Sequence, residues 1–159
     1  MELSGEVVER LERLRHRRML IVGVGNTLKG DDGVGPSICQ GLDGKVCAGV
    51  LDAGTVPENY IQQIVRKAPE GLLVVDAMYF GAEPGAVMVF EPEQLGSMAW
   101  STHTLSPRFF VEMVRGEIEV ETLFLGIQPG QCRFGEGLSA EVAEAAGSVA
   151  EVLVGLWGS

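Results

Sequence analysis

Two adjacent aspartates, Asp31 and Asp32, lie inside the glycine-rich stretch G-N-T-L-K-G-D-D-G-V-G that runs from Gly25 to Gly35. A third, Asp76, closes an apolar run, and His103, one of two histidines in the chain, sits in the segment S-T-H-T. Carboxylate oxygen and imidazole nitrogen are donors that suit Zn, Ni, Mn or Co, and three protein ligands leave positions open for water or substrate. Two carboxylates also offset a 2+ charge. Asp32, Asp76 and His103 are therefore the candidate catalytic and metal-binding residues. Each has an ordinary use when taken alone, as a turn or cap aspartate or a loop histidine. It is their joint placement at strand ends that favours a divalent cation.

Two other chemistries compete for the same residues. Gly23-Val24-Gly25 resembles the start of a dinucleotide fingerprint, and Asp52 ends a strand where a ribose-binding acid would sit. The third glycine is missing, because position 28 is Leu, and two carboxylates would repel a pyrophosphate. A nucleotide-binding or regulatory α/β module built on this loop stands as the alternative. A nucleophilic hydrolase is disfavoured: no serine has a G-x-S-x-G elbow, and Cys39, the cysteine that could pair with His103, sits within an apolar helix.

The elements that must position these residues follow from periodicity. Segments rich in β-branched residues alternate with helical ones, which implies an α/β fold with three αβα layers over a mostly parallel, five-stranded twisted sheet. A helix opens near Ser4, followed by a buried central strand over 19–24, a helix over 34–42 and a strand over 46–51. A helix near Pro57 precedes a strand over 72–76. Ala86 to Phe90 follows Pro84-Gly85 closely and reads as an antiparallel edge strand. A helix begins at Ser106-Pro107, a strand spans 118–125, and the last helix runs from an N-cap at Ser139 to about Trp157. In open parallel sheets ligands bind outside the carboxyl ends of the strands, and that rule selects the loop with Asp31 and Asp32, the end of the strand at Asp76, and the segment with His103.

The 159 residues suit a single domain over 1–159, with 1–18 as an N-terminal helical extension. A net charge of -10 disfavours nucleic acid, whose phosphates need clustered Lys and Arg. The basic cluster Arg13, Arg15, His16, Arg17 and Arg18 reads as a solvated helix face. No stretch approaches the ~20 apolar residues that span a bilayer, so neither membrane insertion nor a signal peptide is expected, and the expected location is cytoplasmic. Cys39, Cys47 and Cys132 are widely spaced and read as small buried apolar residues.

Five ordered motifs carry a resemblance: G-V-G-N-T-L-K-G-D-D-G-V-G from Gly23, D-A-G-T-V-P-E-N at Asp52 to Asn59, V-V-D-A at Val74 to Ala77, S-T-H-T at Ser101 to Thr104, and G-I-Q-P at Gly126 to Pro129. Together they resemble the NiFe-hydrogenase maturation proteases, above all the branch that processes the large subunit of hydrogenase 3. The likeness runs from about residue 19 to about residue 155. It implies an endopeptidase that removes a C-terminal extension from the hydrogenase large-subunit precursor after nickel insertion, and that precursor as the partner. It also implies metal ligands at an acid of the first loop, an aspartate after the third strand and a histidine before a helix. These fall on Asp32, Asp76 and His103.

Two mechanisms are compatible with that resemblance. The three residues complete the coordination of nickel supplied by the substrate, or they hold the enzyme's own metal, which lowers the pKa of a bound water. The absence of H-E-x-x-H favours the first. Elsewhere, Gly25, Gly33 and Gly35 are expected to let the backbone turn around the acid pair, with Asn26 bonded within the loop. Asp31 is expected to cap or face solvent, and Thr55, Glu58 and Gly126 to Pro129 to border a substrate groove.

Overall fold

The structure is a computed structural model that describes residues 1–95, the backbone of 99–100, and residues 106–158. Ser4 accepts a hydrogen bond from the Val7 amide and starts helix α1, Gly5–Glu12. The apolar run that follows becomes strand β1, Met19–Gly23, buried along its whole length. Helix α2, Val34–Leu42, leads to β2, Gly49–Asp52, and α3, Ile61–Lys67, leads to β3, Gly71–Tyr79. Strands β4, Val87–Phe90, and β5, Ala99–Trp100, precede α4, Pro107–Arg115. The chain closes with β6, Glu121–Ile127, and α5, Ala140–Trp157.

The main sheet has the order β2-β1-β3-β6-β4. The first four of these strands pair in parallel, and β4 lies antiparallel to β6 at the edge, the five-stranded arrangement that the sequence implies. Alternation along the strands splits the core in two. Met19, Ile21, Leu73, Val75, Leu123 and Leu125 pack against α1, α2 and α5. Leu20, Val22, Leu72, Val74 and Phe124 pack against α3 and α4.

Helix α1 is part of this core, not an appendage to it. Val7, Leu11 and Leu14 are buried, and Trp157 donates its indole N–H to the Arg15 carbonyl. Arg10 donates to the Val89 carbonyl at 2.8 Å, and Arg13 pairs with Glu91. The basic cluster is exposed but not unpartnered: Arg17 pairs with Glu121, and Arg18 donates to the Ala68 carbonyl.

Several boundaries differ from expectation, three of them by three residues. The second strand begins at Gly49, because Val46 instead bridges Gly158 beyond α5. The last strand begins at Glu121, because the Ile118 amide still bonds to Val114 at the end of α4. The third strand does not end at Asp76: it continues to Tyr79, paired with β6 as far as Ala77 and with β5 at Met78 and Tyr79.

Candidate active site

The extra length of β3 defines the position of Asp76. Strand β1 stops at Gly23, opposite Val75, and the chain then turns away, the Val24 amide bonding to the Val75 carbonyl. Asp76 is thus the first residue of β3 beyond its β1 neighbour, in register with Gly126 of β6. It is a strand residue whose side chain lies at the carboxyl end of β1, and it is fully buried.

From Gly23 the chain enters the acidic loop. Gly25 has φ +148°, and a Cβ there would strike the Asp32 carbonyl oxygen, so only glycine lets the loop fold back on itself. Gly30–Gly33 form a 3-10 turn that packs against β3, and both aspartates of the turn are fully buried. Gly33 and Gly35 serve close approach and not the turn. A Cβ on Gly35 would sit 2.5 Å from the Val24 carbonyl oxygen and 2.6 Å from that of Val75, so its absence lets the start of α2 lie against β1 and β3.

The two neighbouring acids have separate tasks. Asp32 accepts a hydrogen bond from the Asn26 amide at 2.9 Å, while the Asn26 side chain accepts from the Leu28 amide. Asp31 neither faces solvent nor caps its own turn. Its Oδ2 accepts from the amides of Gly130 and Gln131 and from the Ser139 hydroxyl, and its Oδ1 accepts from the Ser139 amide. Ser139 does stand at the N-cap of α5, but its hydroxyl donates to Asp31 instead of accepting from the helix.

A phosphate cradle needs free amides, and those of this loop are already occupied. Lys29 donates to Asn26, Gly30 to Glu136, Asp31 to Gln131 and Asp32 to Lys29. That count, with the two carboxylates, removes the physical basis of the nucleotide alternative.

His103 lies outside the described residues. Among the described residues, no three His, Cys, Asp or Glu side chains gather as metal ligands. Asp32 and Asp76 are brought to adjoining elements at one end of the sheet, one on a turn packed against β3 and the other on β3 itself. A separate cleft lies at the amino-terminal end of the sheet, lined by Arg17, Glu70, Glu119, Val120 and Glu121. It carries the Arg17–Glu121 ion pair, and Glu70 accepts there from the Arg18 amide.

Two neighbours of the acids escaped the sequence reading. The Tyr79 hydroxyl lies 3.6 Å from the Cys132 sulfur, and that hydrogen bond, with burial and the charges of Asp32 and Asp31, pushes the Tyr79 pKa up to about 12. Burial first, then the same two carboxylates, raise the Cys132 thiol. Nothing in the pattern around residue 132 signals proximity to residue 32. Gly126 to Pro129 is buried among the described residues. Gln128 instead accepts from the Phe80 and Ala82 amides and so fixes the chain leaving β3. Thr55 is exposed and Glu58 half-exposed.

The three cysteines are free, but only Cys39 is buried, which corrects the expectation for Cys47 and Cys132. Burial and the Asp52 charge push the Cys39 thiol to about 12. Since the thiolate is the nucleophile, Cys39 should resist iodoacetamide at pH 8 while exposed Cys47 reacts. Mass spectrometry of the labelled native protein checks this, and equal labelling of the two would contradict the packing described. The same shift carries a stability consequence. The unfolded thiol loses its proton above about 9 and the folded one does not, so this contribution to stability is complete below pH 9 and declines as pH rises toward 12.

Comparison with known proteins places the fold and these loops in a known setting. The family model for hydrogenase maturation proteases of the HycI type matches residues 42–156. The Hydrogenase 3 maturation protease of Escherichia coli K12 is 31% identical over 148 residues, covering 88% of this chain and 91% of that protein. A NiFe-hydrogenase maturation protease HycI from Thermococcus kodakarensis KOD1 has a crystal structure that superposes with a TM-score of 0.85 at 29% identity, covering 92% of this chain and 97% of the other. The solution structure of the endopeptidase HycI from Escherichia coli gives 0.79 at 31% identity, covering 86% and 89%. The chain belongs to the hydrogenase maturation protease family, and its fold is the αβα fold of those enzymes.

Proposed function

We propose that this enzyme removes the C-terminal extension of a NiFe-hydrogenase large-subunit precursor after nickel insertion, and that Asp32, Asp76 and His103 meet the nickel carried by that substrate. The observation that supports this reading is the placement of two fully buried carboxylates, Asp32 and Asp76, on adjoining elements at the carboxyl end of the sheet of a maturation protease. Oxygen donors suit a divalent cation of this class. Buried charge also attracts a cation more strongly than exposed charge, because the local dielectric is lower.

In this reading the substrate's nickel would act as a recognition mark, because a precursor without it offers the carboxylates nothing to bind. The chain's own residues then have positional tasks. Asn26 orients Asp32 through its amide, and β6 holds Asp76 in register. No membrane partner is invoked, and among the described residues no helix is long and apolar enough to cross a membrane. Three free thiols, one of them exposed, suit the reducing cytoplasm, which is where we place the reaction.

The test is processing of purified, nickel-loaded precursor by protein stripped with chelator, followed as the mobility shift of the large subunit. Stripped protein should cleave the loaded precursor and leave the nickel-free precursor intact. A requirement for added metal would transfer the ion to the enzyme itself, and failure to cleave under either condition would end the assignment.

A further inference from the structure

We propose that Leu28 and Phe134 form a rigid apolar platform on which the precursor protein docks beside the cleavage site. The identity of the occupant rests on the function proposed above, whereas the platform rests on the surface itself. Phe134 is 72% exposed and Leu28 63% exposed, the two highest values among the large apolar side chains of the described residues. They stand on two different loops that meet. Lys29 and Phe134 form an antiparallel bridge, the Gly135 amide donates to the Leu28 carbonyl, and the Lys29 ammonium lies 6.0 Å above the Phe134 ring.

Exposed apolar side chains on loose loops are ordinary; these loops are not loose. Asp31 ties the first to the second through the amides of Gly130, Gln131 and Ser139. Within the second loop, the Gln131 side chain donates to the Gly137 carbonyl and accepts from the Arg133 amide. A fully buried carboxylate therefore holds in place a surface whose outer residues are left mostly exposed. A surface ordered in advance loses little conformational entropy on binding, which is the condition under which aromatic anchors dominate an interface.

The platform is continuous with the candidate site. Cys132, two residues before Phe134, feels the charges of Asp32 and Asp31 and touches the exposed Tyr79, which closes the gap between acids and apolar pair. The occupant is a protein segment with an apolar side chain for the Leu28–Phe134 pair. The charges beside that pair are half-exposed Lys29 and exposed Arg133 and Glu136, two cations against one anion in a chain of net charge -10, so an acidic neighbour on the precursor is tolerated here.

Two measurements on the whole protein test this. In processing of nickel-loaded precursor, the double variant Leu28→Ser with Phe134→Ser should raise KM at least about tenfold with kcat within about twofold, and Phe134→Leu should keep most of the affinity. An unchanged KM overturns the platform while leaving the protease assignment intact. Independently of cleavage, p-benzoylphenylalanine placed at position 134 should crosslink to the precursor, and the same group at position 113, on exposed Met113 of α4, should not. Equal or absent crosslinking at the two positions overturns the platform even where the wild-type enzyme cleaves. A wild-type enzyme that fails to cleave removes the proposed function, and the crosslink then decides the platform alone.

Discussion

Asp31→Ala should be the most destabilising single change in the acidic loop. It leaves three backbone amides and one hydroxyl, those of Gly130, Gln131 and Ser139, without their acceptor. A buried donor left unsatisfied costs about 1–3 kcal/mol, and partial entry of water reduces the sum, so a loss of about 3–5 kcal/mol is expected. For a chain of this size that lowers Tm by about 10–15 °C. Asp31→Asn should fall between, because its amide nitrogen faces a donor whichever way the group is turned. Asp32→Asn should move Tm less, since a carboxamide oxygen at that position can still accept from the Asn26 amide. Thermal unfolding followed by circular dichroism separates the two positions. A fall in Tm below about 2 °C for Asp31→Ala would mean that the 130–139 loop is anchored by something else.

Asp76→Asn should show the reverse profile, with the fold retained and processing lost. The exchange keeps side-chain volume in a fully buried position and leaves the pairing of Asp76 with Gly126 untouched, because that pairing is made by the backbone. What it removes is one negative charge and the bidentate oxygen set. Altering groups that only orient a metal ligand commonly costs 10–100-fold, so loss of a direct ligand should cost at least about a hundredfold. His103→Ala should act in the same direction. Normal processing of a nickel-loaded precursor by either variant, read by the mobility shift of the large subunit, would exclude these residues from the reaction.

The opposite profiles expected of Asp31 and Asp76 mark how far residue type and spacing carry and where they stop. The strands of the core were legible because buried parallel strands are continuous apolar runs, as in Met19 to Gly23 and Leu72 to Val75. The antiparallel edge was legible because Val87 to Phe90 follows the Pro84-Gly85 turn too closely for a crossover. Asp76 was legible as a residue at the carboxyl end of the sheet, yet its strand was cut short there, since a charged residue inside a strand ordinarily signals an end. The pairing of Met78 and Tyr79 with β5 comes from a segment about twenty residues later and leaves no local trace. The task of Asp31 was out of reach for the same reason: its partners lie about a hundred positions away. Adjacent identical residues in one turn carry no mark of which faces the sheet and which faces another loop. The exposure of Cys47 and the neighbourhood of Cys132 likewise depend on loops whose courses are set by distant contacts.

The contact between α1 and β4 bears on how the molecule keeps to itself. An edge strand offers unpaired main-chain groups to any other strand that approaches, and Val87–Phe90 is short, apolar and at the end of the sheet. Arg10 fills the Val89 carbonyl with a guanidinium, and Arg13 closes on Glu91 just beyond the strand. A cationic side chain at that carbonyl makes a poor template for a foreign strand. The opening helix therefore guards the sheet against edge-to-edge association, which suits an enzyme that must meet another protein without sticking to copies of itself.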